Sequence, residues 1–339
     1  MTRYALLTRE SSKRVFGSAA PEMLLAEVLA IGKHLSAGIS DTEPMALGGM
    51  SYVCFDSVLG DTDRFILSNL ALARGLFEFV EATPGAAALR PLDITPLEWF
   101  PSDLITIQRY RGKTNEQFTH LLVNLTLAES LEAHARASAG KRVRLFDPVA
   151  GRGSTLNRGL VYGFDVGGVE LDDTSVDQYK TFLTTYLKDR RVKHKAETER
   201  IRKGKHAGTS AFDVSIRPGS SGQHLRLARA STEQTRGLFA GAKFDVLVGD
   251  LPYGIRHKSS SKALDRSPTD LVQGAIDSWR SVMSPRASLG LSWNTKTMPR
   301  EQLTEVLTEN GFVVTAHPRS FEHVVDRQIT RDLLVAVKA

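Results

Sequence analysis

Four residues at the end of an apolar run could together hold an amino group. The run 244–248 is followed, one residue later, by Asp250, Leu251, Pro252 and Tyr253. The Asp250 carboxylate and the Leu251 carbonyl are both hydrogen-bond acceptors, which suits an exocyclic amine with two N–H donors. Pro252 has no N–H and fixes the turn, while Tyr253 can stack on the ring that carries the amine. We predict that these four residues are catalytic; a plain strand-ending turn is the alternative.

A second set of candidate residues lies in the segment D-P-V-A-G-R-G-S-T, which contains Asp147, Gly151 and Gly153. Glycine lets a backbone approach a ligand closely, and a helix that begins just after it offers N–H groups to a carboxylate or phosphate. The segment is not the GxGxxG fingerprint of dinucleotide-binding proteins, because position 156 is Leu. A nicotinamide-linked oxidoreductase is therefore disfavoured, and a tight turn without a ligand is the alternative.

A third candidate is Glu170, in the segment G-V-E-L-D, 23 residues after Asp147. An acidic residue at the end of the second strand of an α/β unit can accept hydrogen bonds from both hydroxyls of a ribose. An ordinary solvated acid at a strand end is the alternative for this residue.

The elements that must position these residues alternate between strands and helices. A helix is predicted after Thr114 as its N-cap, with an apolar stripe that runs from Phe118 to Leu131. Such alternation predicts a mainly parallel sheet with helices on both faces, and such sheets bind ligands at the carboxyl ends of their strands. The predicted strands are Val143–Phe146, Gly168–Leu171, His224–Leu227, Phe244–Val248, Ser288–Trp293, Phe312–Thr315 and Ile329–Val337.

The N-terminal part of the chain reads as a smaller mixed α/β domain. Its predicted elements are a strand at Tyr4–Leu7, a helix at Pro21–His34, a strand at Met50–Phe55 and a helix at Asp63–Val80. Ala82–Asp103 carries four prolines and reads as a linker. The expected division is therefore residues 1–103, including the linker, and residues 104–339.

Positive charge is concentrated in one segment. The chain has a net charge of +6 and a pI near 9.4, and Leu187–His206 alone has nine Lys or Arg against three acids. One interpretation is a solvated helix face with i,i+4 ion pairs; the other is an arm that contacts nucleic-acid phosphates. The following stretch, Gly208–Gln223, is predicted to be a loop. The candidate phosphate-binding residues are Arg190, Arg191, Lys193, Lys195, Arg200, Arg202, Lys203 and Lys205.

Several classes of protein are disfavoured by composition. The single cysteine, Cys54, excludes an internal disulfide framework and a CxxC-type zinc site. The histidines lack the spacing of metal ligands, so no metal is expected. Without an apolar run of about 18 residues no membrane span is expected, and the polar start of the chain predicts a cytosolic (cytoplasmic) protein.

In their order along the chain, the three motifs resemble those of S-adenosylmethionine-dependent methyltransferases of the Rossmann-like class I fold. DPVAGRGST resembles their glycine-rich first motif, GVELD the second, and DLPYG the (D/N)PPY motif of amino-group methyltransferases. More narrowly, DLPYGIR is similar to DPPYGIR of the tRNA guanine-N2 methyltransferase family of the position-10 type. GKTNEQFTHLLVNLTLA resembles the helix before the first motif in that family. YALLTRES and FILSNLALARGLFEFVE resemble its RNA-binding region in pattern.

This chain departs from the family pattern in three respects. Leu251 replaces the first proline of the usual pair, although the backbone carbonyl is retained. The run A-R-A-S-T leaves Ser231 or Thr232 where the family usually has an Asp for the adenine amine. The N-terminal region is also short for a full ferredoxin-like and THUMP pair.

The resemblance implies roles for the candidate residues. S-adenosylmethionine would be the cofactor, with Gly151 and Gly153 at its methionine, Glu170 at its ribose and Ser231 or Thr232 at its adenine. It further implies that Asp147 contacts the cofactor amino group and that Thr114 and Asn115 approach the methionine end. RNA, most simply tRNA, would be the substrate, with guanine N2 as acceptor; a THUMP-like N-terminal domain and a small zinc-ribbon partner are further implications. Adenine N6, a glutamine side chain, and a non-catalytic RNA-binding module remain the alternatives.

Overall fold

The chain divides into two compact units. The computed structural model describes residues 1–10, 14–83, 86–110, 112–200, 208–217, 222–252 and 267–339. The first unit comprises Met1–Leu97 and Ala316–Asp332, and the second comprises Glu98–Thr315 and Leu333–Ala339. The division falls earlier than the expected boundary after residue 103, because the Trp99 N–H donates to the Val161 carbonyl oxygen, 2.7 Å away, within the second unit.

The first unit is a mixed α/β unit with an antiparallel sheet. Its elements before residue 98 are β1 (Thr2–Thr8), α1 (Arg14–Gly32), β2 (Ser40–Leu47), β3 (Met50–Ser57), α2 (Asp61–Ser68), β4 (Ala73–Thr83) and β5 (Ala86–Leu92). The strand order is β2-β3-β1-β4-β5, and α1 contacts β1 to β3 while α2 contacts β4. The order of elements up to β4 is the βαββαβ pattern of ferredoxin-like units.

The predicted helix at Asp63–Val80 is wrong beyond Ser68. The second half of that stretch forms β4, in which Phe77 lies opposite Ala5 of β1 and Phe79 lies opposite Leu89 of β5. Aromatic and β-branched residues fit a half-buried sheet, so strand pairing overrides the helical spacing of the apolar residues.

Two strands that the sequence prediction misses contain a proline. β5 lies within the predicted linker and places Pro91 opposite Phe77, and β2 places Pro44 opposite Val53. Both are edge strands, where a residue without an N–H does not interrupt the ladder. Their prolines obscure them in the sequence, although their partners make them strands.

A buried carboxylate fixes the entry to β4. Glu27 of α1 is fully buried, and its two oxygens accept the N–H groups of Ala71 and Leu72 at 2.8 and 3.0 Å. The residues just before β4 therefore depend on an acceptor from α1.

We expect Glu27→Gln to lower the free energy of unfolding by about 1–3 kcal/mol, because its amide NH₂ would face one of the two backbone N–H groups and leave it unsatisfied. Urea unfolding curves measure the change. Glu22→Gln, on the exposed side of the same helix, is the matched control. Equal stability of the two variants would contradict the role of Glu27.

The second unit is the larger one and contains the residues singled out in the sequence. Its helices are α3 (Asp103–Thr106), α4 (Glu116–Glu129), α5 (Leu131–Ser138), α6 (Ser154–Val161), α7 (Asp173–Asp189), α8 (Thr235–Leu238), α9 (Pro268–Val282) and α10 (Arg300–Glu309). Its strands are β6 (Arg144–Asp147), β7 (Asp165–Glu170), β8 (His194–Arg200), β9 (Ser210–Ile216), β10 (Gln223–Arg229), β11 (Phe244–Asp250), β12 (Met283–Asn294) and β13 (Phe312–Val314). β14 (His323–Val324) belongs to the first unit, and β15 (Thr330–Lys338) begins in the first unit and continues into the second.

The predicted fold class is confirmed. The strand order is β13-β15-β12-β11-β6-β7-β10-β9-β8, and the pairs β12-β11, β11-β6, β6-β7 and β7-β10 are parallel. The chain starts in the middle of the sheet at β6, adds strands outward through β7 and β10, and then returns to add β11 and β12 on the other side. This order is that of a doubly wound, Rossmann-like α/β sheet, whose switch point lies between β6 and β11.

Within the described residues of the basic segment, the interpretation as a helix face is wrong beyond Asp189. α7 ends at Asp189, and β8 pairs in an antiparallel manner with β9, which pairs with β10. Ser210–Ile216, predicted as part of a loop, is β9, where Phe212, Val214 and Ile216 are buried. The Gly and Ser residues around it hid a period-2 apolar pattern, which is the signal of a half-buried strand.

The helix before the first motif begins one residue later than predicted. The N-cap of α4 is Asn115, whose side-chain oxygen accepts the Gln117 N–H at 2.8 Å. α4 ends at Glu129, and Leu131 is 62% exposed in the next helix, so Leu131 does not belong to the buried stripe. Since Asn115 caps the helix, the Thr114 hydroxyl is available for another partner.

Candidate active site

Three carboxyl groups lie at one edge of the parallel sheet. Asp250, Asp147 and Glu170 are the last residues of β11, β6 and β7, which are adjacent and parallel. Both Glu170 and Asp250 raise the pKa of Asp147 electrostatically. The structure thus brings together three of the acidic residues that the sequence motifs singled out, at the switch point of the sheet where ligands of such folds bind.

The Asp147 carboxyl group is fully buried, and its pKa lies well above the ordinary value. Burial raises the pKa of its carboxyl to about 7, while the Val149 N–H, 3.0 Å from Oδ1, opposes the shift. A buried carboxylate without a compensating cation is costly, so the group tends to keep its proton. This environment favours a positively charged ligand next to Asp147.

We expect the contribution of Asp147 to the free energy of unfolding to fall as the pH rises from about 4 to 7, by up to about 1.4 kcal/mol per pH unit. The folded-state pKa of Asp147 is raised to about 7, so over this range the folded protein holds a proton that the unfolded chain has released. Urea unfolding at several pH values measures the slope.

Asp147→Asn removes this titration and should flatten the slope. Burial also raises the pKa of Glu170, so a smaller decrease of the same sign remains in the variant. Identical slopes in the two proteins would refute the assignment to Asp147.

Glu170 is tied to the glycine-rich loop. Its Oε2 accepts the Gly151 N–H and its Oε1 accepts the Asp172 N–H, each at 2.7 Å. The carboxylate therefore shapes the loop after β6. Because each carboxylate oxygen has two lone pairs, these bonds leave the predicted contact with ribose hydroxyls chemically open, and it stays a prediction.

The two glycines of the loop differ in what surrounds them. Both have a positive φ, +52° at Gly151 and +79° at Gly153. A Cβ at Gly153 would lie 2.2 Å from the ring of Tyr179, whereas a Cβ at Gly151 would have nothing within 4 Å. Gly153 is thus required for packing against α7, and Gly151 faces open space.

Gly153→Ala should cost more than about 2 kcal/mol of stability, because it combines backbone strain with a clash against a buried ring. Gly151→Ala is the matched control, with strain alone of about 1–2 kcal/mol. Chemical denaturation of both variants tests the difference. A greater loss in Gly151→Ala would contradict this distinction.

The end of β11 and the turn after it, Asp250–Pro252, are here called the Asp250 corner. Hydrogen bonds from two neighbouring segments hold this corner in place. The Thr114 hydroxyl donates to Asp250 Oδ2, and the Ser292 hydroxyl of β12 donates to Oδ1 at 2.5 Å. The Leu251 N–H donates to the Ser292 carbonyl oxygen at 2.8 Å. Pro252 is exposed, and Tyr253 lies outside the described residues, so its predicted stacking stays a prediction.

Leu251 gains two interactions that a proline could not make in the same way. Its N–H bond to Ser292 requires a donor, which proline lacks, and its side chain is 1% exposed within the main apolar core of the second unit. The departure from the family pattern therefore strengthens the end of β11, and the Leu251 carbonyl remains a candidate acceptor.

The remaining predicted cofactor residues are at the same edge of the sheet but have structural partners. Asn115 uses its side-chain oxygen to cap α4. Thr232 accepts the Trp279 indole N–H on its hydroxyl oxygen at 2.7 Å and is buried. Ser231 precedes the 3-10 turn at Thr232–Gln234 and is partly exposed, which makes it the better candidate of the two.

Sequence reasoning missed Tyr110, Arg152 and Ser292. Tyr110 hydrogen-bonds Ser154 at 3.1 Å, and the Arg152 guanidinium lies 4.6 Å from its ring centre. Burial raises the pKa of Tyr110, as do Asp250 and Asp147 electrostatically, so the ring lies near these carboxyl groups. No periodicity marks Tyr110, whereas a serine within the apolar run of β12 was a signal that could have been used.

The segment that carries Tyr110 is fastened by Lys113. Its ammonium group donates to the carbonyl oxygens of Ile105 and Gln108 at 2.5 and 2.9 Å and pairs with Glu116 at 2.8 Å. A single buried cation thus holds the chain between α3 and α4 against the start of α4.

Part of the predicted phosphate-binding charge is neutralised within the protein. Arg190 pairs with Asp103 and Lys195 pairs with Glu197. Arg191, Lys193 and Arg200 are exposed. The other three predicted residues, Arg202, Lys203 and Lys205, lie outside the described residues, so RNA contact by this segment stays a prediction.

Two further searches of the described residues concern metals and membranes. No group of three or more His, Cys, Asp or Glu side chains is arranged to hold a metal ion in the part of the chain that the structure describes. Across the same residues, no helix is long and apolar enough to cross a membrane.

Comparison with known proteins gives structural matches only. No protein-family model matches the sequence, and no curated protein matches it. Among solved structures, the chain is similar to TrmN from Thermus thermophilus, with 12% identity, 100% of both chains covered and a TM-score of 0.47.

Two further solved structures are similar over part of the chain. Magnesium protoporphyrin IX methyltransferase from Synechocystis, solved with bound SAM, has 16% identity over 68% of this chain and 87% of its own, with a TM-score of 0.38. An rRNA methylase from Streptococcus thermophilus has 9% identity over 58% of this chain and 87% of its own, with a TM-score of 0.34.

Proposed function

We propose that this chain transfers a methyl group from S-adenosylmethionine to an exocyclic amino group of an RNA base, with guanine N2 in tRNA as the expected acceptor. The observation that carries the proposal is the position of Asp250. Asp250 is the last residue of β11, which lies next to β6 and the glycine-rich loop. Two hydroxyl groups donate hydrogen bonds to its carboxylate. An acceptor for an amine thus lies beside a loop suited to a cofactor.

The residues at the sheet edge fit S-adenosylmethionine. The molecule carries an ammonium group and a sulfonium, and three carboxyl groups, one buried with a pKa of about 7, favour a cationic ligand. Gly151 faces open space, which leaves room for the methionine part. Asp147 would bind the ammonium group, Gly151 and Gly153 would line the methionine, and Glu170 would bind the ribose.

The other cofactor contacts follow the resemblance. Ser231, with Thr232 as the less accessible alternative, would meet the adenine edge, and Asn115 would approach the methionine end. Thr114 also donates its hydroxyl to Asp250, and its approach to the methionine end stays a prediction.

The methyl transfer requires no covalent bond between the substrate and the protein. S-adenosylmethionine supplies an electrophilic methyl group; as the N–C bond forms, the S–C bond breaks, its electron pair stays on sulfur and a thioether leaves. Asp250 and the Leu251 carbonyl accept the two N–H groups and thereby aim the nitrogen lone pair. The Asp250 carboxylate also stabilises the positive charge that develops on nitrogen, takes the proton that the nitrogen loses and passes it to water.

An RNA base fits this site better than a small amine would. Tyr253, on the sequence pattern, would stack on the base, which must leave its own stack if the target site is helical. The basic segment supports an anionic partner, since Arg191, Lys193 and Arg200 are exposed and clustered cations bind phosphates. A zinc-ribbon activator, implied only by the resemblance, is tested by its addition to the assay.

The presence of Asp250 and the Leu251 carbonyl argues against the alternative of a non-catalytic RNA-binding module with this fold. The substitution that raised this alternative, Leu251 for proline, adds a bond from its N–H to Ser292 and keeps the carbonyl. Adenine N6 and a glutamine amide offer the same NH₂ group, and only product analysis separates them from guanine N2.

We expect the wild-type protein to form N2-methylguanosine in tRNA lacking that modification, detected by mass analysis of nucleosides. Asp250→Ala should bind S-adenosylmethionine within about threefold of the wild type by titration calorimetry, yet lose at least about 100-fold in methyl transfer. Asp270→Ala, an acid elsewhere in the second unit, is the matched control. Detection of N6-methyladenosine or of methylated protein would assign a different acceptor. Unchanged turnover in Asp250→Ala would refute the mechanism.

A further inference from the structure

We infer that Thr114 and Ser292 are positioning residues that orient the Asp250 carboxylate toward the acceptor amine. The inference rests on the proposed function and adds two residues that none of the sequence motifs assigns to this role. Thr114 donates its hydroxyl proton to Asp250 Oδ2, and Ser292 donates its own to Oδ1 at 2.5 Å. Because each oxygen is bound by a different donor, rotation of the carboxylate about its last bond would break both hydrogen bonds.

The two donors come from elements that are themselves fixed. Ser292 is fully buried in β12, where it lies opposite Asp250 in the parallel ladder. Its carbonyl oxygen also accepts the Leu251 N–H at 2.8 Å. Thr114 directly precedes Asn115, the N-cap of α4, and α4 contacts both β11 and β12. The carboxylate is therefore held by the residue that precedes the N-cap of α4 and by a residue of β12.

Hydroxyl donors suit an acceptor that must be anionic while the methyl group is transferred. A hydrogen bond from a hydroxyl orients a carboxylate without bringing a positive charge, so these two bonds leave the negative charge in place for the cation that forms on the methylated nitrogen. Each oxygen also has a second lone pair, so an oxygen that accepts a hydroxyl can accept an N–H as well. The arrangement fits a carboxylate that accepts N–H groups from an amine.

The bonds also link the two predicted acceptors. Ser292 binds Asp250 through its hydroxyl and Leu251 through its carbonyl oxygen, so one buried residue sets the position of the side chain and of the following peptide. Correct placement of two acceptors is what aims a lone pair at an incoming methyl group, and small displacements of such groups are costly for rate.

The test compares Thr114→Val and Ser292→Ala with two matched variants. Thr114→Ser keeps the hydroxyl. Ser288→Ala removes another fully buried hydroxyl from β12, one that donates to the Thr126 carbonyl oxygen at 2.5 Å and not to Asp250. Cofactor affinity is measured by titration calorimetry, stability by urea unfolding, and methyl transfer by single-turnover rates on an RNA that the wild type modifies.

We expect Thr114→Val and Ser292→Ala each to slow methyl transfer about tenfold or more, with cofactor affinity within about threefold of the wild type. Thr114→Ser should restore the rate, and Ser288→Ala should keep it while losing similar stability to Ser292→Ala. Unchanged rates in the first two variants would overturn the inference, as would an equal loss in Ser288→Ala or no rescue by Thr114→Ser.

A second measurement does not depend on any RNA. A crystal structure of the Thr114→Val, Ser292→Ala double variant should show the Asp250 carboxylate rotated from its wild-type orientation. An unmoved carboxylate would overturn the inference even if no acceptor RNA had been found. Conversely, a rotated carboxylate together with a wild type that methylates no RNA would refute the proposed function and leave the positioning role supported.

Discussion

The crowding of three carboxyl groups at one edge of the sheet is the constraint on which the rest of the site depends. Parallel pairing of β11, β6 and β7 ends three neighbouring strands in Asp250, Asp147 and Glu170. Like charges at such an edge repel one another, and burial adds to the cost of ionisation. Different hydrogen-bond donors offset this cost at each of the three carboxyl groups.

Each carboxyl group has its own form of compensation. Glu170 receives backbone N–H groups, one of them from the glycine-rich loop. Asp250 receives two side-chain hydroxyls. Asp147 receives the Val149 N–H and the Thr155 hydroxyl, yet burial still raises its pKa to about 7. Asp147 is therefore the position at which a cationic ligand would contribute most, which agrees with the proposed binding of a cofactor that carries a sulfonium and an ammonium group.

The same hydrogen bonds connect the site to the fold. The loop glycines depend on Glu170 and on Tyr179 of α7, and the Asp250 corner depends on α4 and β12. The site is thus built from main-chain positions and buried donors rather than from long flexible side chains. Preorganised acceptors of this kind need little rearrangement when charge develops.

The sequence by itself determined the fold class of the second unit and its three acidic strand ends. Short apolar runs that end in Asp147 and Asp250 are local signals, because buried parallel strands are apolar throughout and their ends are polar. It also predicted most strands of that sheet within a few residues.

Only the tertiary structure decided which partners the residues find. β4, β5, β8 and β9 are strands because neighbouring strands pair with them, although helical spacing, prolines or glycines obscure them in the sequence. Thr114 reads locally as a helix cap, but α4 is capped by Asn115 and Thr114 binds a carboxylate 136 residues away in the chain. Ser292 reads as one polar residue in an apolar strand, and its role follows from lying beside Asp250. Hydrogen bonds between residues distant in sequence leave no periodic trace, so local patterns predict elements but not the contacts that assemble a site.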